Sequence, residues 1–162
     1  MAIRQVRVEG DPILRKKSRL IEKFDDKLKD LTEDLFDTMY DEDGVGLAAV
    51  QVGLLRRLIV VDDRDSFKGA LVNPEISACS GEEEGVEGCL SIPGKLGKVD
   101  RYEKITVHYQ DLEGQDQELQ AEGFLARILQ HEIDHTQGIL YRDRAKEMYE
   151  APVVEGVEDD HE

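Results

Sequence analysis

The sequence predicts an α+β fold: mainly antiparallel short sheets packed around one central helix, with a second long helix toward the N-terminus. Three observations lead there. Residues 25–40 repeat apolar side chains at helical spacing, residues 104–121 alternate on both sides of a turn, and residues 123–136 form a second helical stretch. Strands fall before and after the two helices without a β-α-β rhythm, which favours α+β over a parallel doubly wound sheet.

Taken in order, "IRQVRV" (residues 3–8) reads as a short or edge strand. In "GDPIL", Asp11 suits an N-cap and Pro12 the first helical position, where a missing N–H loses no bond. Leu28, Leu31, Leu35, Phe36, Met39 and Tyr40 make one apolar stripe along the first long helix, and its charges form a solvated face. "DEDGVGLAAVQVG" is a glycine-punctuated loop entering the next strand, and "RRLIVVDD" has the continuous apolar run of a buried strand. "GALVNPEI" and the segment near Cys79 read as further short strands with Pro74 between them. "KITVHYQDLEGQDQELQA" reads as a hairpin turning at Glu113–Gly114. The second helix runs from Gly123 to Thr136, with Gly138 as its stop.

A chain of 162 residues with 40% apolar side chains suits one domain, here residues 1–150, with no internal repeat. Lysine and arginine total 21 against 37 acids, a net charge of −16. Such a surface repels phosphate, so neither direct nucleic-acid binding nor attachment to an anionic membrane is expected. The opening "MAIRQVRVEG" lacks the apolar core of a signal peptide, and "VGLAAVQVGLL" is too short to span a bilayer. A cytoplasmic protein is expected, and Cys79 and Cys89 are too few for a disulfide framework. Their plainest reading is buried apolar filler. Residues 151–162, "APVVEGVEDDHE", carry acids and no base, and are expected to be a disordered tail.

The second helix carries the chemistry. His131 and His135 lie about 40° apart around the axis, one turn from each other, so two imidazoles can grip one ion. Glu132 is one step round, near enough to touch a water on that ion; this is the H-E-x-x-H arrangement, with the glutamate as general base. Phe124, Ile128, His131 and His135 continue one stripe, and Leu125, Leu129 and Glu132 another, so the set faces the core. Histidines and a carboxylate turned inward need a partner, and a cation supplies it. Asp134 either orients a neighbour or makes a surface salt bridge, and Arg101 either contacts a substrate or pairs with an acid.

A catalytic site of this type holds three protein ligands and leaves a position for water. Downstream of His135 the candidates are His161 and the glutamates 147, 150, 155 and 158, with Glu147 and Glu150 on a possible further helix. Upstream are two thiols, and thiolate with two imidazoles suits Fe(II), Zn, Co or Ni. Chemistry alone does not choose between Cys79 and Cys89.

"GVGLAAVQ" (residues 44–51), "EGCLS" (87–91) and "QHEIDH" (130–135) resemble, in order and spacing, the three motifs of the peptide deformylases. The resemblance extends to "NPEI", "PGKLGKVDR" and "DLEG", and so covers nearly the whole chain before the tail. It implies Cys89 as the third metal ligand beside His131 and His135, and leaves Cys79 as filler. It implies hydrolysis of the N-terminal formyl group of new polypeptides beginning with methionine, with release of formate, by residues 1–150 as a single catalytic domain. Glu132 would be the general base, and the Gln51 amide and the Leu90 backbone N–H would face the oxyanion. Gly44 and Gly46 would admit the peptide, and Val45, Phe124 and Ile128 would line a pocket for the methionine side chain or be plain core. One divalent ion is implied, Fe(II) by usual preference with Zn, Ni or Co as substitutes, in a monomer working near the ribosome.

One departure stands out. The family's first motif usually ends Ala-Pro-Gln, whereas here it reads Ala49-Val50-Gln51, which removes the rigidity that would aim Gln51. The glutamine itself is present, and function is expected to survive. Two rivals differ in chemistry: a zinc endopeptidase with Glu147 or Glu150 as third ligand, and a structural metal site closed by four ligands.

Overall fold

The computed structural model describes residues 2–152. Eight strands and three helices follow one another: α1 (Asp26–Asp41), β1 (Gly46–Ala48), β2 (Leu58–Asp62), β3 (Lys68–Ser80), β4 (Glu83–Cys89), β5 (Ile92–Arg101), β6 (Lys104–Gln110), β7 (Asp116–Glu122), α2 (Gly123–Thr136), α3 (Tyr141–Arg144) and β8 (Ala145–Glu150). One sheet has five strands in the order β1-β2-β3-β6-β7, the other three in the order β4-β5-β8. Every strand pairing in both is antiparallel.

The apolar run of β2 is continuous because both faces of the larger sheet are covered. Side chains alternate across a strand, so Ile59 and Val61 pack toward α2 with Leu125, Ala126 and Leu129. Leu58 and Val60 pack toward α1 with Leu28, Leu31, Leu35 and Met39. A third, smaller core gathers Leu14, Ile92, Val99, Leu140 and Tyr141 behind the three-stranded sheet. The helix α2 therefore lies centrally, its apolar face on the five-stranded sheet and its histidine face toward Tyr141 and β4.

Local rules place the helix ends. Asp25 caps α1 by accepting from Leu28 N–H, and Asp11 caps a short 3-10 turn at Pro12–Arg15. Gly138 closes the chain after α2 at φ +77°, a left-handed conformation that glycine adopts freely. The hairpin β6–β7 pairs Lys104 with Glu122 through Gln110 with Asp116.

Four expectations are corrected. Residues 3–8 form no strand: Arg4 N–H donates to Thr38 Oγ1 and Arg7 N–H to Gln51 O, so those donors are satisfied without a strand partner. The two short strands around Pro74 are one strand, β3. Asn73 takes φ +52° there, and the register shifts between Val72 and Glu75, absorbing the residue that has no N–H to give. Cys79 is exposed rather than buried. The segment with Glu147 and Glu150 is strand β8, not a helix. Of the tail, Ala151 N–H donates to Gly94 O, and residues 153–162 lie outside the described residues.

Candidate active site

Strand β4 brings the thiol to α2. Residues two apart on a strand share a face, and the β4–β5 register shifts between Glu87 and Cys89. Both side chains meet α2 there: Cys89 Sγ lies 3.4 Å from His135 Nε2, and Glu87 Oε1 lies 2.8 Å from His131 Nδ1. Ligand atoms of Cys89, His131 and His135 all fall within 4.8 Å of one another, and the imidazole centroids are 5.1 Å apart.

Glu87 is the buried hub behind this set. It accepts from Arg101 Nε at 2.8 Å, Arg101 Nη2 at 2.9 Å and Arg127 Nη1 at 2.7 Å. Burial alone would raise its carboxyl, but the hydrogen bonds from Arg101 and His131 outweigh burial and hold it well below the usual carboxylate range. An ionised carboxylate only accepts, so His131 Nδ1 carries the proton and Nε2 is left with its lone pair. That is the carboxylate–histidine pairing that orients a metal ligand. Arg101 also donates to Asp134 at 2.7 Å, and Arg144 reaches the same carboxylate. Of the readings left open, both Arg101 and Asp134 take the acid–base pair.

The donor set fits a divalent cation. One sulfur and two imidazole nitrogens form a borderline-soft site. Burial works against charge on His131, yet the Cys89 sulfur and Glu87 outweigh it and hold that ring well above the ordinary imidazole value. Burial and the neighbouring His131 push His135 well below it. In the absence of an ion a second proton at Nε2 meets that demand on His131; a cation competes for the same lone pair while Nδ1 stays on Glu87. Buried Glu132 Oε1 has no hydrogen-bond partner among the described residues.

Glu132 stands beside the trio, and burial raises it to about 7. Its room comes from Gly46: a Cβ there would sit 2.7 Å from Glu132 Oε2 and 2.9 Å from Cγ. No larger residue fits without moving the carboxylate. Gln51 approaches from the 3-10 turn Ala49–Val52. Its Oε1 accepts from Ala48 N–H at 3.0 Å and its Nε2 donates to Ser91 Oγ at 3.0 Å. The second N–H of that amide meets only the Cys89 sulfur, at a long 3.7 Å.

A cleft of about 380 Å³ opens onto these groups. Gly44, Val45, Gly46, Gln51, Leu90, Phe124, Ile128 and Glu132 all line it, together with Val86. Phe124 departs from the expected inward stripe: it is 58% exposed, at the cleft mouth on the first turn of α2. A depression of about 550 Å³ around Cys79, Lys104 and Glu122 is larger, but it holds no such cluster. Glu147 lies in β8 and pairs with Lys98 at 3.8 Å, and no glutamate of that strand joins the histidines. The endopeptidase reading thereby loses its third ligand among the described residues. Sequence reasoning missed the part of Glu87, although Cys89 two residues on carried the clue.

Comparison with known proteins agrees with this geometry. The polypeptide deformylase family model matches residues 3–151. The peptide deformylase of Finegoldia magna is 48% identical over 155 residues, covering 94% of this chain and 96% of its own. The crystal structure of the enzyme from Thermotoga maritima superposes with a TM-score of 0.87 at 42% identity, covering 91% of this chain and 100% of that one. That from Legionella pneumophila superposes with a TM-score of 0.86 at 47% identity, covering 90% and 87%. A thiol and two histidines converging beside a buried glutamate, on a chain matched along nearly its whole length, make this protein a member of the polypeptide deformylase family.

Proposed function

We propose that this chain hydrolyses the formyl–amine bond at the N-terminus of formyl-methionyl nascent polypeptides, with Cys89, His131 and His135 holding a divalent cation. The observation that carries the reading is the convergence of those three ligand atoms within 4.8 Å, next to Glu132 in an open cleft. Bound there, the cation supplies Lewis acidity and brings the pKa of a water toward neutrality.

The chain's own groups do the rest. Glu132, raised by burial to about 7, is matched to accept a proton near neutral pH. It takes that proton from the attacking water and delivers it to the departing amine nitrogen, so the C–N bond breaks as formate and a free amine form. The Gln51 amide N–H that makes only the long contact to Cys89, and the backbone N–H of Leu90, donate to the oxygen of the attacked carbonyl as it gains charge. Each such donor contributes about 3 kcal/mol. Gly44 and Gly46 let the peptide backbone approach, and Val45, Phe124 and Ile128 receive the methionine side chain.

A thiolate with two imidazoles suits Fe(II) as the working ion, with Zn, Ni and Co as substitutes. The reading includes a monomer of one catalytic domain, acting in the cytoplasm near ribosomes; among the described residues no helix is long and apolar enough to cross a membrane. The test is anaerobic purification, measurement of bound metal, and formate release from formyl-Met-Ala-Ser. Release by wild type, and its loss by about 10²-fold or more in Glu132→Gln with metal retained, is the expected result. Metal-loaded protein that releases no formate overturns the reading.

A further inference from the structure

The cleft wall at residues 44–46 is held from behind by the turn between β2 and β3. Glycine has the widest backbone freedom of any residue, and two of them flank Val45, so this stretch does not stiffen itself. Its ties come from outside. Gly44 N–H donates to Met39 O at the end of α1, at 2.8 Å, and Asp62 N–H donates to Val45 O at 2.9 Å. Arg64 Nη2 donates to Gly44 O at 2.9 Å. Strand β1 is the edge of its sheet, and alternation along an antiparallel ladder turns the Gly44 carbonyl away from β2. Only a side chain that reaches round the edge can meet it.

Arg64 is fixed in place for that reach. It takes φ +64°, a left-handed conformation that strains an ordinary residue and suits glycine, asparagine or aspartate. An arginine at such a position points to work for its side chain. Asp63 sets the turn, its Oδ1 accepting from the N–H groups of Asp65, Ser66 and Phe67 at 3.0, 2.8 and 2.9 Å. Asp62 Oδ1 accepts from Arg64 N–H at 2.8 Å, and Asp62 Oδ2 faces Arg64 Nε at 3.6 Å. The guanidinium lies over the Tyr40 ring, 5.1 Å from its centroid, and Tyr40 Oη donates to Asp62 Oδ2. The end of α1, the loop after it and the β2–β3 turn thus meet at one planar cation.

Gly44 is where this clasp reaches the cleft. Asp43, Gly44, Val45 and Gly46 line one wall and Leu90 the other. A Cβ on Gly44 would lie 3.1 Å from Leu90 Cδ1, so the two walls approach each other there. Gly46, beside Glu132, is held separately by the pairing of β1 with β2. On the peptide reading of the cleft given above, we propose that Arg64 is a positioning residue for substrate binding, holding the Gly44–Val45 wall in the place that receives the peptide. Its partners are Gly44, Asp62 and Tyr40, so it acts through the Gly44 carbonyl and not on the reacting atoms. Without it, each incoming peptide has to order the wall, which raises KM and spares kcat.

The test compares the full-length, metal-loaded wild type with Arg64→Gln, Arg64→Gly and Asp65→Asn on formyl-Met-Ala-Ser-amide, whose neutral end removes direct attraction to the guanidinium. Arg64→Gln should raise KM about three- to tenfold, a modest scale because the side chain is 48% exposed, with kcat within about twofold. Arg64→Gly should raise KM equally while its thermal midpoint stays within about 3 °C of wild type, since glycine accepts the left-handed φ. Asp65→Asn alters the charge of the same turn without touching Gly44, and should leave KM within about twofold. Hydrogen–deuterium exchange without peptide should be about threefold faster or more at residues 43–46 in both Arg64 variants. Unchanged KM in Arg64→Gln, a fall in kcat as large as the rise in KM, or an effect seen only with the free-acid peptide overturns the proposal. Wild type that releases no formate sinks the functional reading instead, and the exchange rates still decide whether Arg64 holds the wall. Turnover by wild type with exchange unchanged in both Arg64 variants sinks the clasp and spares the functional reading.

Discussion

Glu87→Gln is the most informative single change, because it removes one charge from the buried hub and keeps its shape. Glu87 is 6% exposed and accepts from two guanidinium groups and from His131. Removing one partner of a buried ion cluster costs about 3–5 kcal/mol, since the opposite charges remain buried. Arg101 keeps Asp134, and Arg127 keeps the carbonyls of Val99 and Glu83, so the low end applies. About 3 kcal/mol corresponds to a fall of about 6–12 °C in the unfolding midpoint of a chain this long. His131 would also face an amide, which can donate as well as accept, in place of the carboxylate that fixes its tautomer, and metal binding should weaken about 10- to 100-fold. Thermal and urea unfolding of the metal-free protein read the first effect, and zinc competition against a chelator reads the second. A partial rescue when Arg127→Met is added to Glu87→Gln would confirm that the loss comes from an uncompensated charge. Midpoint and zinc affinity both within error of wild type would refute the hub.

Cys89→Ala should abolish stoichiometric metal binding while Glu147→Ala leaves it intact, as read by metal analysis after dialysis. Gly46→Ala should lower kcat/KM by about 10²-fold with metal content unchanged, because its Cβ displaces the Glu132 carboxylate. In the metal-free protein the raised Glu132 pKa stabilises the fold below the unfolded value of 4.5 and loses that contribution as pH climbs through about 7. The difference is about 3 kcal/mol, and Glu132→Gln should remove it from urea unfolding followed between about pH 5 and 8.

What was legible in the sequence was what is encoded locally. The helices α1 and α2 and the hairpin β6–β7 come from the spacing of their own apolar residues, and H-E-x-x-H is complete within one turn. Strands β4 and β5 were not legible, because few of their inward positions are apolar: Ile92 and Val99 are buried, but Glu87 and Arg101 take places where a strand reader looks for valine or isoleucine. An interior built from ion pairs erases the apolar alternation. The opposite error arose at residues 3–8, where Ile3 and Val8 mimic a strand yet are exposed, and the N–H donors of Arg4 and Arg7 find partners in α1 and at Gln51. Cys89 needed the family resemblance, since nothing local separates it from Cys79. Had its inward direction been assumed, the two-residue period would have turned Glu87 inward with it.

With valine at position 50, Gln51 is nevertheless held from several sides. Proline restricts one φ angle and does nothing to a side chain. What aims the Gln51 amide is downstream of that angle: Ala48 N–H holds its oxygen, Ser91 Oγ takes one of its hydrogens, and Arg7 N–H donates to its backbone carbonyl at 2.6 Å. The residue is 1% exposed, at the wall of the cleft. Val50 is itself wholly buried in the core beneath α2, so packing immobilises the same backbone that a proline ring would. A residue of similar bulk with a free N–H can therefore stand in the motif, provided that Ala48, Ser91 and the segment at Arg7 keep their places around the glutamine.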